Sequence, residues 1–108
     1  MRDRIRIEVK VKTPGASGPD IDWNEQATRW ADVDELSVSA RIAYQQAGVS
    51  EVTHMVTMRG PISLSLADNR FVWLNKGDRI LYPVAPPSNK DGLGRYYAIV
   101  AREELKGA

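Results

Sequence analysis

Residues 4–12 alternate without a break. Ile5, Ile7, Val9 and Val11 fall on one side, and Arg4, Arg6, Glu8, Lys10 and Lys12 on the other. Strand side chains point to opposite faces in turn, so a period of two this regular specifies a half-buried β-strand and excludes a helix. A strand with one apolar face needs partners and a core, so the rest of the chain is read for what could supply them.

Residues 13–26 carry Pro14, Gly15, Ser17, Gly18 and Pro19, then Asp20, Asp22 and Asn24. That density of turn formers predicts a long loop. Trp23 lies inside it, either as a flap closing over the core or as an exposed anchor. A second strand is expected over 27–36, around Trp30, Ala31 and Val33. Residues 38–47 read as a short helix: Ser37 can cap its start, Gly48 can end it in a left-handed conformation, and Leu36, Ala40, Ala43 and Ala47 make a thin apolar stripe. Further strands are expected over 50–59 (Val52, His54, Val56 and Met58 on one face), 61–67, 70–74, 79–85 (Ile80, Tyr82 and Val84 on one face) and 95–103. Asn75-Lys76-Gly77-Asp78 forms a hairpin connection, and residues 86–94 a polar loop. The pattern predicts an all-β fold, a small antiparallel β-barrel or sandwich with one short inserted helix (about residues 38–47) and long loops, in a single domain over 1–108. The expected core is Ile5, Ile7, Val9, Val56, Ile80, Val84 and Ile99.

Composition closes off most chemistry. The chain has 108 residues, no cysteine and one histidine. Disulfides and Cys-based zinc sites are thereby excluded, and His54 has no second histidine to complete a metal pair or a catalytic set, so it reads as a hydrogen-bonded structural residue. Asp20-x-Asp22-x-Asn24 opens like a calcium loop, but Glu25 stands where the turn needs glycine and Ala31 where a bidentate glutamate belongs. Gly92-Leu93-Gly94 lacks the lysine and following helix of a phosphate cradle. No catalytic, metal or cofactor residue is assigned. No apolar run is long enough to span a membrane. Net charge is +1, without the overall footprint of a nucleic-acid binder, yet residues 13–38 hold six acids against the single base Arg29. That acidic stretch is either a solvated loop or a functional surface.

Three stretches, taken in order, carry a family resemblance. They are the strand of residues 4–13 followed by a Gly/Pro/Asp loop and a tryptophan; Trp30-Ala31-Asp32-Val33 followed by an Ala/Gln helix, Ala40-Arg41-Ile42-Ala43-Tyr44-Gln45-Gln46-Ala47; and Thr53-His54-Met55-Val56-Thr57-Met58-Arg59. A hairpin from Asn69-Arg70-Phe71 to Asp78-Arg79-Ile80-Leu81-Tyr82 and one closing strand complete the order. This arrangement resembles the bacteriophage head–tail joining proteins, also called head closure, stopper or neck proteins. Met55 departs from the usual basic residue, and Pro61 to Leu66 replace a short glycine link.

The resemblance implies a structural virion protein of a phage or prophage, with no enzymatic activity and no cofactor. Such a connector protein adds to the portal or adaptor ring after DNA packaging, closes the DNA channel and offers the tail its attachment surface. Its implied partners are the portal or adaptor on the head side, a tail protein on the tail side, and copies of itself in an oligomeric ring, typically a dodecamer, with a monomer in solution. No membrane and no specific nucleic-acid binding are implied. The implied location is the virion neck, assembled in the bacterial host cytoplasm. Arg41, Tyr44, Gln45 and Gln46 are the candidates for interface contacts, and Asp20, Asp22, Trp23 and Glu25 for a loop facing the channel or a partner. A tail-terminator or minor tail component is the first alternative. A β-barrel module binding nucleic acid or peptide is the second.

Overall fold

The alternating segment becomes strand β1, Asp3–Gly15, in a computed structural model that describes residues 1–15, 18–49, 51–89 and 92–104. It runs antiparallel to β2, Gly18–Glu35, over its whole length. Helix α1, Val38–Gln46, follows, then β3 (His54–Arg59), β4 (Asn69–Trp73), a 3-10 turn (Leu74–Lys76), β5 (Arg79–Pro83), the two-residue β6 (Ser88–Asn89) and β7 (Tyr96–Glu103). The strands lie in the order β3-β2-β1-β4-β5-β7, and β7 pairs back onto β3 from His54↔Ala101 to Arg59↔Tyr96. The sheet is thus a closed six-stranded antiparallel barrel, with β6 added beside the first half of β7. Closure leaves no bare edge around the barrel body.

Each strand sends alternate residues inward. Ile5 and Ile7 from β1, Ala31 and Val33 from β2, Val56 and Met58 from β3, Phe71 and Trp73 from β4, Leu81 from β5, and Ile99 and Ala101 from β7 form one buried cluster. Phe71, Ile5, Met58, Leu81, Ile99 and Val56 are its largest fully enclosed side chains, each worth about 1.5–3 kcal/mol of burial.

Four expectations need correction. The stretch expected to be a loop over 13–26 is largely strand, because β2 continues β1's register out to Gly15↔Gly18. The strand expected over 61–67 does not form; Ile62 and Leu64 instead pack from an irregular segment against the core. In β5 the inward face is reversed: Leu81 and Pro83 are buried, while Ile80 and Val84 are half-buried. Apolar residues on both faces of this segment leave alternation nothing to choose between. Val9 is also only half-buried. Helix α1 forms as expected, with Ser37 Oγ accepting from the Ala40 N–H at 3.2 Å and Gly48 at φ 88°.

A bulge at Ile7/Glu8 sets the direction of everything beyond it. Ile7 pairs with Ala27 but Glu8 with Glu25, so Gln26 is an extra residue in β2. Only Ile5 to Val9 pair with β4. Past that point β1 and β2 leave the barrel as a two-stranded arm.

Candidate functional site

The arm carries the acidic candidates. Asp22 is exposed, opposite Val11, and Glu25 is exposed, accepting a hydrogen bond from Thr28 Oγ1 at 2.9 Å. Asp20 lies opposite Thr13 on the same strand, and its side chain falls outside the described residues. Trp23 is neither a flap over the core nor a free anchor. The extra residue at Gln26 shifts the phase of β2, so Trp23 pairs with Lys10 and lies against the outside of the barrel. The Arg70 guanidinium lies 4.1 Å from its ring centre, and Tyr82 meets it edge-on at 6.5 Å. Arg70 in turn donates to Glu8 Oε1 at 2.7 Å, and Arg6 to Glu8 Oε2 at 2.9 Å. Trp23 therefore pins the root of the arm to the barrel wall, while Asp22 stands clear of it.

Helix α1 carries the other candidates. None of its residues is buried; Val38 is 75 % exposed and Ile42 47 %. Arg41 reaches Glu35 at 3.4 Å, and its Nε is enclosed with no hydrogen-bond partner among the described residues. Arg41 and Gln45, one turn apart, line a cavity of about 580 Å³ with Glu51, Thr53, Arg102 and Glu103. Tyr44 is half-buried on the same side of the helix. Gln46 is exposed and lies roughly 140° around from Arg41 at 3.6 residues per turn. The structure thus brings Arg41, Tyr44 and Gln45 together and leaves Gln46 apart.

Beneath the helix, the buried polar groups are held in fixed partnerships. His54 lies 2.8 Å from Thr53 Oγ1 and meets Trp73 edge-on at 5.7 Å. Burial pushes its pKa below the ordinary histidine value. Arg79 stacks on Trp73 and grips Glu103 with two N–H groups, which holds the glutamate's pKa down. This is a scaffold: every member is tied to another, with Thr53 and Glu103 also bordering the cavity under the helix. Among the described residues no three potential ligands come together to hold a metal ion, and no helix is long and apolar enough to cross a membrane.

A sequence model of the phage head completion protein matches residues 1–104. The chain belongs to the phage head completion protein family. It is a structural protein of the phage head, in a family of virion components. The barrel is shared with solved structures. The solution structure of protein SF1141 from Shigella flexneri 2a superposes with a TM-score of 0.76 at 23 % identity, covering 98 % of this chain and 95 % of that one. A chain in the virion of a native gene transfer agent particle superposes at 0.58 with 22 % identity, covering 97 % of each. No curated protein matches the chain.

One surface of this head completion chain was not foreseen from sequence. Arg4, Thr28, Arg29, Trp30, Arg59 and Tyr96 line an open cavity of about 590 Å³. The Arg4 guanidinium lies 4.7 Å from the Trp30 ring centre and that of Arg59 5.9 Å from the Tyr96 ring centre. Each of these pairs is also a cross-strand register pair, Arg4↔Trp30 and Arg59↔Tyr96. The only early signal was that Trp30 alternates with the buried Ala31 and so had to face away from the core.

Proposed function

We propose that the chain is a head–tail joining protein. It adds to the portal or adaptor at the virion neck after DNA packaging, closes the channel, and offers the tail an attachment surface. Copies associate head-to-tail in a dodecameric ring, a heterologous contact that closes by rotation, from monomers free in the host cytoplasm. The observation that carries this reading is helix α1, which leaves Val38 and Ile42 in water and buries nothing in the isolated chain. A nine-residue helix is too short to persist on its own propensity, and its exposed apolar groups are what a neighbouring subunit would cover. Arg41 and Tyr44 would anchor that contact, since Arg and Tyr are frequent interface hot spots.

The arm supports the second half of the reading. Acidic groups along it would repel duplex DNA at short range, with salt screening them beyond about 8–10 Å. A channel lined by Asp20, Asp22 and Glu25 could hold DNA back and later let it pass without gripping phosphate.

Tailless heads supply the test. Asp20→Lys with Asp22→Lys, and separately Arg41→Ala with Tyr44→Ala, should each leave the monomer folded while reducing ring formation, DNA retention or tail joining. Full infectivity from both variants would overturn the assignment of both surfaces.

A further inference from the structure

We propose that the cavity formed by Arg4, Arg29, Arg59, Trp30 and Tyr96 is a docking site for an acidic peptide segment of a partner protein. The inference does not depend on the ring reading above.

Most arginines of this chain differ in whether they meet a carboxylate. Arg2, Arg6, Arg41, Arg70 and Arg79 each meet a carboxylate. Arg4, Arg29, Arg59 and Arg102 meet none among the described residues; Arg102 lies over Tyr82 and lines the cavity beneath the helix, while the other three share one cavity. Like charges gathered without a counter-charge repel one another, so an anion placed among them is favoured.

The side chains are also preset. The Arg4 and Arg59 guanidinium groups lie over the Trp30 and Tyr96 rings, and Arg29 Nη1 donates to the Arg59 carbonyl oxygen at 3.3 Å. A planar fork held in place matches a carboxylate through two parallel N–H···O bonds. Trp30 is 57 % exposed, an unusual amount of apolar ring to leave in water, and it gives the ligand's neighbouring side chain a surface to cover. Tryptophan, tyrosine and arginine together are the residue types that dominate protein–protein hot spots.

Duplex DNA fits less well. Neutralising a phosphate backbone takes a band of many cations, whereas here three arginines converge on one concavity in a chain of net charge +1.

The test is a nuclear magnetic resonance titration of the ¹⁵N-labelled full chain, following the Trp30 indole N–H and the Nε–H of Arg4, Arg29 and Arg59. The probes are an oligoglutamate peptide of about ten residues containing one leucine, and a DNA duplex and a single strand of matched charge. The peptide should shift these four resonances saturably. Arg4→Gln and Arg29→Ala should each weaken it roughly tenfold, the loss of one charge-assisted contact. Arg2→Ala, which removes an arginine already paired elsewhere, should not. The amide spectrum of each variant reports whether it is folded, and Arg59→Lys is a milder second change at the same cavity. Three results would overturn the proposal: no peptide-induced shift at the four resonances, tighter binding of either DNA there, or salt-sensitive self-association mapping to the cavity without any probe, which would make a second copy the occupant.

Discussion

The indole N–H of Trp73 donates to Asp3 Oδ1 across 3.0 Å, joining the start of β1 to the end of β4. The same carboxylate accepts from the Val33 N–H at 2.9 Å and from Asn75 Nδ2 at 3.2 Å. One buried aspartate thus ties together β1, β2, β4 and the 3-10 turn. Burial alone would raise its pKa, but the three donors outweigh that and hold it below the usual carboxylate value.

Asp3→Asn is therefore expected to destabilise the barrel by about 1.5–3 kcal/mol, because an amide nitrogen must then face one of three donors. Urea unfolding at neutral pH measures the loss. The gap should narrow as pH falls below 3.8, where Asp3 of the unfolded chain takes up a proton before the folded one does.

Ile7→Ala should cost about 2–4 kcal/mol, and Leu81→Ala a similar amount, since both fill the enclosed core. Ile80→Ala should cost clearly less, because Ile80 is only half-buried. Thermal melts of the three variants report the inward face of β5 directly, and a larger loss at Ile80 than at Leu81 would reverse it.

Acid should weaken the fold in two stages. A histidine with a depressed folded pKa stabilises fully above its ordinary value of 6.5, and that stability is lost as pH drops below it toward the folded value. Asp3 and Glu103 are depressed in the same sense, so their contribution holds above the ordinary carboxylate range and fades beneath it. Denaturant midpoints between pH 8 and 3 should fall first through the histidine range and again through the carboxylate range. His54→Gln should remove the first fall and leave the second.

Cutting the arm back should leave the barrel standing. Joining Val11 to Asp22, a register pair, through an Asn-Gly turn removes chain beyond the Ile5–Val9 pairing with β4. The melting temperature should move by only a few degrees, as for a change of about 1 kcal/mol or less, and the circular dichroism should keep its strand signature.

How much of this was legible depended on whether neighbouring residues alone fix the outcome. Ser37, Gly48 and the stripe between them are local signals, and α1 formed where they put it. The inward face of β3 was legible because Val56 and Met58 alternate with Thr57 and Arg59. β5 was not, because Ile80, Leu81, Tyr82, Pro83 and Val84 are apolar on both faces. Its register with β7 decides, and the proline is accommodated there: the ladder resumes one residue later with the Val84 N–H on the Val100 carbonyl oxygen at 3.0 Å. Pro14, Gly15, Gly18 and Pro19 hid the arm, although Asp20 to Asn24 do alternate; a long register carried outward from β1 overrides local turn propensity. Asp3, Glu8 and the Arg4–Trp30 stack were invisible for a further reason. Asp3 and Glu8 find Trp73, Asn75 and Arg70 on or beside β4, more than sixty residues along the chain, and the Arg4–Trp30 register depends on one extra residue at Gln26.

Strand β7 lies between β3 and β5 and is synthesised after both of them. Until Tyr96–Glu103 has emerged, both of those neighbours present bare backbone and the core is open on one side. Every earlier pairing is therefore provisional during synthesis, and the closing contact joins His54 to Ala101 across nearly half the chain. Closure on this scale is a slow kind of folding step. A chain cut short before this strand would be an adhesive half-barrel, while one that includes it is a closed unit whose free surfaces include the arm, the helix and the arginine cavity.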